Sequence, residues 1–154
     1  MDCDHFYVTL LSNSSQTMYP QNTLAAFTAH LAKPIDLGST ERWEVGVSEI
    51  TSPAIQVGTI RAMIVLSNTL SLLYCDLISP QFFGDRLVRV LRTFITPSLT
   101  GQYTFTNIHY VPVEKRIFQD IRIEILNTQG GRIAFKDNKT PIQIVLHFRR
   151  VTKC

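Results

Sequence analysis

A chain of 154 residues, 45% hydrophobic and 18% charged, is long enough for one domain and too apolar to be disordered. Fifteen Lys+Arg against 12 Asp+Glu leave a net charge of +3, too small by itself to argue for a nucleic-acid partner. Seven Gly and seven Pro exclude collagen-like or linker-type composition. The 15 Ile, 11 Val and 16 Thr, with nine Phe, five Tyr and one Trp, fill more than a third of the chain. These residues suit a pleated, half-buried surface and predict an all-β protein.

Extended segments recur along the chain. Residues 5–11 read as a strand buried on both faces or nearly so, and the polar stretch Ser12 to Thr17 as a loop. Pro20-Gln21-Asn22 leads into a strand over 23–32, which Lys33-Pro34 is expected to close, and Gly38-Ser39 marks a turn. In 41–50, Trp43, Val45 and Val47 share one face, which makes Trp43 a core residue before it is an interface anchor. Residues 59–66 and 70–78 are two further apolar runs, separated by Asn68-Thr69. Between Phe82 and Ile95 two patterns compete. Leu87, Val90, Leu91 and Phe94 fit a helical face, whereas the β-branched Val88, Val90, Thr93 and Ile95 favour a strand over 87–94. A strand is expected over 103–110, ending at Pro112, and another over 117–126 with Ile121, Ile123 and Ile125 on one face. Gly130-Gly131 permits a tight reversal into a hairpin strand at 132–135. Residues 142–149 put Ile142, Ile144, Leu146 and Phe148 inward and Gln143, His147 and Arg149 outward. Eight to ten strands without a dependable helix predict a two-sheet sandwich or a barrel.

The chemistry of catalysis is missing from the motifs. There is no nucleophile elbow, phosphate-binding glycine loop, H-E-x-x-H pair or dinucleotide fingerprint. His5, His30, His109 and His147 stand singly, and only His5 has a ligand-type neighbour two positions away, Cys3. A cupin-like metal enzyme needs convergent ligands, so neither metal nor cofactor is expected. Glu44 and Glu49, five residues apart, fall on opposite faces of a regular strand and cannot share acid–base work. Cys3, Cys75 and Cys154 are too scattered for a metal knuckle or redox motif and read as three free thiols. Met1-Asp2-Cys3-Asp4-His5 has no signal-peptide character, and no apolar run approaches the ~20 residues of a membrane span. Arg149-Arg150 with Lys153 forms a small basic end without aromatic interleaving, which predicts a solvated terminus and no sequence-specific nucleic-acid contact.

An ordered series of segments carries a family likeness. It begins with Phe6-Tyr7-Val8-Thr9-Leu10 and its Ser/Asn loop, then Trp43-Glu44-Val45-Gly46-Val47-Ser48-Glu49-Ile50. Tyr74-Cys75-Asp76-Leu77-Ile78-Ser79-Pro80-Gln81 with Gly84-Asp85 and Leu91-Arg92 follows. Tyr110-Val111-Pro112-Val113, the Ile121-x-Ile-x-Ile strand with Gly130, and Leu146-His147-Phe148-Arg149-Arg150 complete it. In this series the chain resembles the penton (minor capsid) proteins of Polinton/Maverick elements and adintoviruses, departing where Ser71-Leu72-Leu73 is more apolar than is usual there. The resemblance implies a single jelly-roll sandwich of two antiparallel sheets and about eight strands. It also implies a homopentamer at the icosahedral vertices of a virion, beside double jelly-roll major capsid proteins, with no catalytic residue and no cofactor. The residues it singles out as structural or interface candidates are Trp43, Glu44, Glu49, Asp76, Pro80, Gly84, Asp85, Arg92, His147 and Arg149. An Arg-rich, Lys-poor basic set, ten against five, independently suits protein interfaces. The competing expectation is a lectin-like or receptor-binding jelly roll acting as a monomer or trimer.

Overall fold

Alternation of apolar and polar residues organises nearly every segment of the chain. The computed structural model describes residues 4–53, 68–97, 101–127, 130–135 and 140–151. Its strands are β1 (His5–Leu11), β2 (Ala26–Asp36), β3 (Trp43–Ser52), β4 (Asn68–Cys75), β5 (Gln81–Phe83) and β6 (Arg86–Val88). They continue as β7 (Val90–Pro97), β8 (Gly101–Thr104), β9 (Val111–Pro112), β10 (Ile117–Asn127) and β11 (Gln143–Arg150). The strand expected over 59–66 lies outside the described residues, as do Cys3, Cys154 and Lys153.

One sheet runs β1-β11-β3-β8, with β9 also on β3; the other runs β2-β10-β4-β7; β5 and β6 form a hairpin of their own. Leaving out that hairpin and the two-residue β9, the eight main strands in chain order read 1-8-3-6 in one sheet and 2-7-4-5 in the other. All pairs are antiparallel. This order is the double Greek key of a jelly roll, so of the sandwich and the barrel the sandwich is realised.

The core lies between the sheets. Ile142, Ile144, Leu146 and Phe148 are fully buried and meet Phe118, Ile121, Ile123 and Ile125 from the facing sheet. Val45, Val47 and Ile50 of β3 and Leu10 of β1 complete the first layer, with Trp43 packed at its rim. At roughly 25 cal/mol per Å² of apolar surface removed from water, each such side chain contributes about 1.5–3 kcal/mol.

Several expectations are corrected. Residues 5–11 are not buried on both faces: β1 is an edge strand, and only its Phe6, Val8 and Leu10 side turns inward. Lys33-Pro34 does not close β2, which continues to Asp36. Pro34 falls in the irregular stretch between the His30↔Asp120 and Ile35↔Phe118 pairs of this edge strand, where the ladder requires no amide from it. Of the expected 103–110 strand only Tyr103 and Thr104 are strand, as the end of β8 (Gly101–Thr104), followed by irregular chain before β9. The reversal at Gly130 is real, with its amide donating to the Asn127 carbonyl at 3.1 Å and φ at +87°. Beyond it Arg132 makes an isolated bridge to Leu126 and no hairpin strand.

The competition over 82–95 ends in strands. A register shift between Leu73 and Tyr74 pairs them with Arg92 and Val90, leaving Leu91 as an extra residue. Leu91 and Phe94 both enter the core because this bulge breaks the two-residue alternation, and with Val90, buried outside the core cluster, they imitate a helical stripe.

A candidate functional site on the outer sheet face

The regular β1–β11 ladder pairs Tyr7 with His147 and His5 with Arg149. Since Phe148 and Leu146 point into the core, these four residues share the outer face. On β3, Gly46 stands opposite His147 and Glu44 opposite Arg149. Gly46 has a specific reason to be glycine. A Cβ there would lie 2.8 Å from the His109 carbonyl oxygen and against the Ile108 side chain, because residues 105–110 cross directly above it. That crossing delivers Tyr110 to the cluster.

His147 is held from three sides. Tyr7 stacks on its ring with centroids 4.4 Å apart, and Tyr110 approaches edge-on with its hydroxyl 2.6 Å from Nδ1. His147 Nε2 lies 3.1 Å from Nδ1 of His5, whose ring is T-shaped against it. Arg149 lies over the Tyr110 ring at 3.5 Å and bonds Glu44 through Nε. Burial first, then the charges of His5 and Arg149, push the His147 imidazole below its ordinary pKa. Burial likewise raises the Tyr110 phenol, with Arg149 opposing it. Both nitrogens of His147 thus have a hydrogen-bond partner, and the direction of the two bonds follows the His147 tautomer.

Glu44 and Glu49 share this outer face, contrary to the sequence expectation. Between Val145 and Leu146 the register shifts, so Ser48 is an extra residue and the five-residue spacing counts as an even number of ladder steps. They stay functionally separate: four steps of ~3.3 Å put about 13 Å between them, and Glu49 bonds Gln102. The basic end is also corrected. Arg149 pairs with Glu44, and Arg150 with Asp4 at 3.0 Å, so neither is a simple solvated charge.

The other candidates are dispersed. Trp43 packs on Phe6 at 5.5 Å between centroids, at the rim of the core. Arg92 pins the crossing segment, donating to the Asn107 carbonyl at 2.7 Å and lying 4.1 Å over the Phe105 ring. Asp76 accepts the Arg122 amide at 2.9 Å and Lys115 Nζ at 3.0 Å, tying the end of β4 to β10. Pro80 leads into the β5–β6 hairpin, whose two-residue turn is Gly84-Asp85 with Gly84 at φ +61°. On that hairpin Phe82 and Leu87 are paired across the strands and remain 81% and 58% exposed. Among the described residues no group of three or more His, Cys, Asp and Glu converges as a metal site. No described helix is long and apolar enough to cross a membrane.

Neither a protein-family model nor a curated protein matches the chain. Among solved structures, the crystal structure of the selenomethionine-labelled mavirus penton protein matches 96% of this chain and 100% of its own. The TM-score is 0.64 at 8% sequence identity. The two chains share a fold. The jelly-roll architecture is what the likeness shows.

Within that fold, sequence reasoning singled out Glu44, His147 and Arg149 but not His5, Tyr7 and Tyr110 as their companions. The available signal was alternation, which puts His5, Tyr7 and His147 on the faces opposite the core. Alternation does not say that the first and last described strands pair.

Proposed function

We propose that this chain is a penton (minor capsid) protein of the Polinton/Maverick and adintovirus kind. In this reading it forms a homopentamer at the five-fold vertices of a virion, beside double jelly-roll major capsid proteins, and has no catalytic activity. The observation that carries the reading is the correspondence of fold with a penton protein over 96% of this chain and all of the other. The ordered segments from Phe6 to Arg150 support it independently.

The surface chemistry fits a chain covered by neighbours. Phe82 and Leu87 form an exposed apolar pair on a short protruding hairpin, a natural knob for a heterologous contact repeated around a ring. Such a contact must bury on the order of 1,000 Å² to be specific.

The test is mass and position. Native mass spectrometry of concentrated protein, alone and with the major capsid protein, should reveal a species of five 17.5-kDa chains, about 88 kDa. Imaging of assembled particles should place its density at the five-fold vertices. A stable trimer under every condition, or density elsewhere, overturns the reading in favour of a receptor-binding sandwich.

A further inference from the structure

We propose that His5 and His147 together form a binding site for a divalent transition-metal ion of the imidazole-preferring class, Zn²⁺, Ni²⁺ or Cu²⁺, which clamps β1 to β11. The inference is independent of the capsid reading and rests on the outer-face geometry.

His5 Nδ1 and His147 Nε2 converge to 3.1 Å. An ion about 2.05 Å from both would subtend an N–metal–N angle of about 98°, between the ~90° of cis octahedral ligands and the ~109° of tetrahedral ones. The ring orientation agrees. The centroids are 5.1 Å apart with planes at 78°, less than the ~5.4 Å of two imidazoles meeting head to head at that separation. The rings are thus tilted off the N···N line, as two ligands of one ion must be.

His147 is also prepared as a ligand. Tyr7 fixes its ring plane by stacking, and the Tyr110 oxygen lies 2.6 Å from the nitrogen that does not face His5. In the metal-bound form Nδ1–H donates to Tyr110, which selects the tautomer with its Nε2 lone pair toward the ion. The neighbouring charges are compatible with a cation. Arg149 is paired with Glu44, and Arg150 with Asp4. With nitrogen donors alone from these two side chains, the pair favours late first-row ions over Ca²⁺ and Mg²⁺, which demand oxygen ligands. Water completes the coordination, and the ion takes the place of the proton now shared between the rings.

The test uses the full chain after treatment with chelator, titrated with NiCl₂ by calorimetry and with CoCl₂ by visible absorption. One equivalent of Ni²⁺ should bind with a Kd below about 0.1 mM. Co²⁺ should give the d–d bands of nitrogen ligation. His5→Gln and His147→Gln should each weaken binding at least about tenfold, whereas His30→Gln and His109→Gln leave it unchanged. At a hundredfold excess over Kd, Ni²⁺ should raise the melting temperature of the parent chain by about 5 °C or more and leave both binding variants unmoved. Circular dichroism checks each fold. Should His147→Gln not fold, the edge-strand variant His5→Gln still decides. Absence of binding up to millimolar Ni²⁺, or binding that survives His5→Gln, overturns the proposal and leaves the pair as a hydrogen bond alone.

Discussion

Phe118 and Phe148 stack across the two sheets, with ring centroids 5.9 Å apart and planes at 23°. Phe148 also stacks on Phe6 at 4.8 Å, so one side chain joins β1, β11 and β10. Phe148→Ala should cost about 3–5 kcal/mol, the range for a large aromatic removed from a packed core. Denaturant unfolding followed by tyrosine and tryptophan fluorescence measures it; a loss under about 1 kcal/mol would mean that this stack does not hold the sheets together.

Gly46→Ala tests the crossing segment. The new methyl meets the His109 carbonyl, which belongs to backbone and cannot swing aside, so residues 105–110 must lift. Overpacking of this kind costs about 1–3 kcal/mol. Because Tyr110 rides on the segment, its contact with His147 should be lost too, visible as a shift of the His147 ring signals in NMR spectra. Unchanged signals would refute the crossing.

Acid should act through Asp120. Its carboxylate accepts from His30 Nδ1 and from the Tyr19 hydroxyl, both at 2.8 Å, and these bonds, His30's the larger, hold its pKa below the ordinary value. Its folded pKa is the lower one, so the unfolded state takes up its proton first. The stabilisation is therefore complete above the unfolded value near ~4 and is lost as pH falls through the folded value. Asp120→Asn should lower stability at pH 7 and flatten that part of its decline below pH ~4. A parallel decline in parent and variant contradicts this assignment.

Burial pushes the Cys75 thiol up to about 12. It is a free cysteine enclosed by the core, so it should remain unmodified when the native protein is treated with a thiol reagent at pH 8. Peptide mapping should find it labelled only after denaturation; rapid native labelling would show that β4 opens locally.

The hairpin knob gives the assembly prediction. Phe82→Ser with Leu87→Ser removes two exposed apolar side chains from a hairpin outside both sheets, so the melting temperature should move by less than about 2 °C. The ~88-kDa species of the proposed pentamer should disappear. Retained assembly would place the contact elsewhere.

How legible all this was depended on whether a strand kept its alternation. In β11 it does, and Ile144, Leu146 and Phe148, with Ile142 just before them, read correctly as core. In β3 and β7 one inserted residue each, Ser48 and Leu91, shifts the phase. Glu44 and Glu49 thereby changed from opposite faces to one, and β7 acquired a helix-like stripe. Bulges have no composition of their own, so periodicity alone does not reveal them. The outer-face cluster was hidden for another reason. His5 and His147 are neighbours only through β1–β11 pairing, a contact between distant parts of the chain that no local spacing encodes.

That pairing also fixes when the protein can fold. β11 lies between β1 and β3, so the first sheet has no centre until residue 150 has left the ribosome. At ~5–20 residues per second, β1 and β3 wait many seconds with apolar faces and open edges. Long-range strand pairing is slow in any case. A chain lacking β11 cannot close its sandwich, because β1 and β3 then have no strand between them, so the first two-thirds of the molecule wait on one late segment.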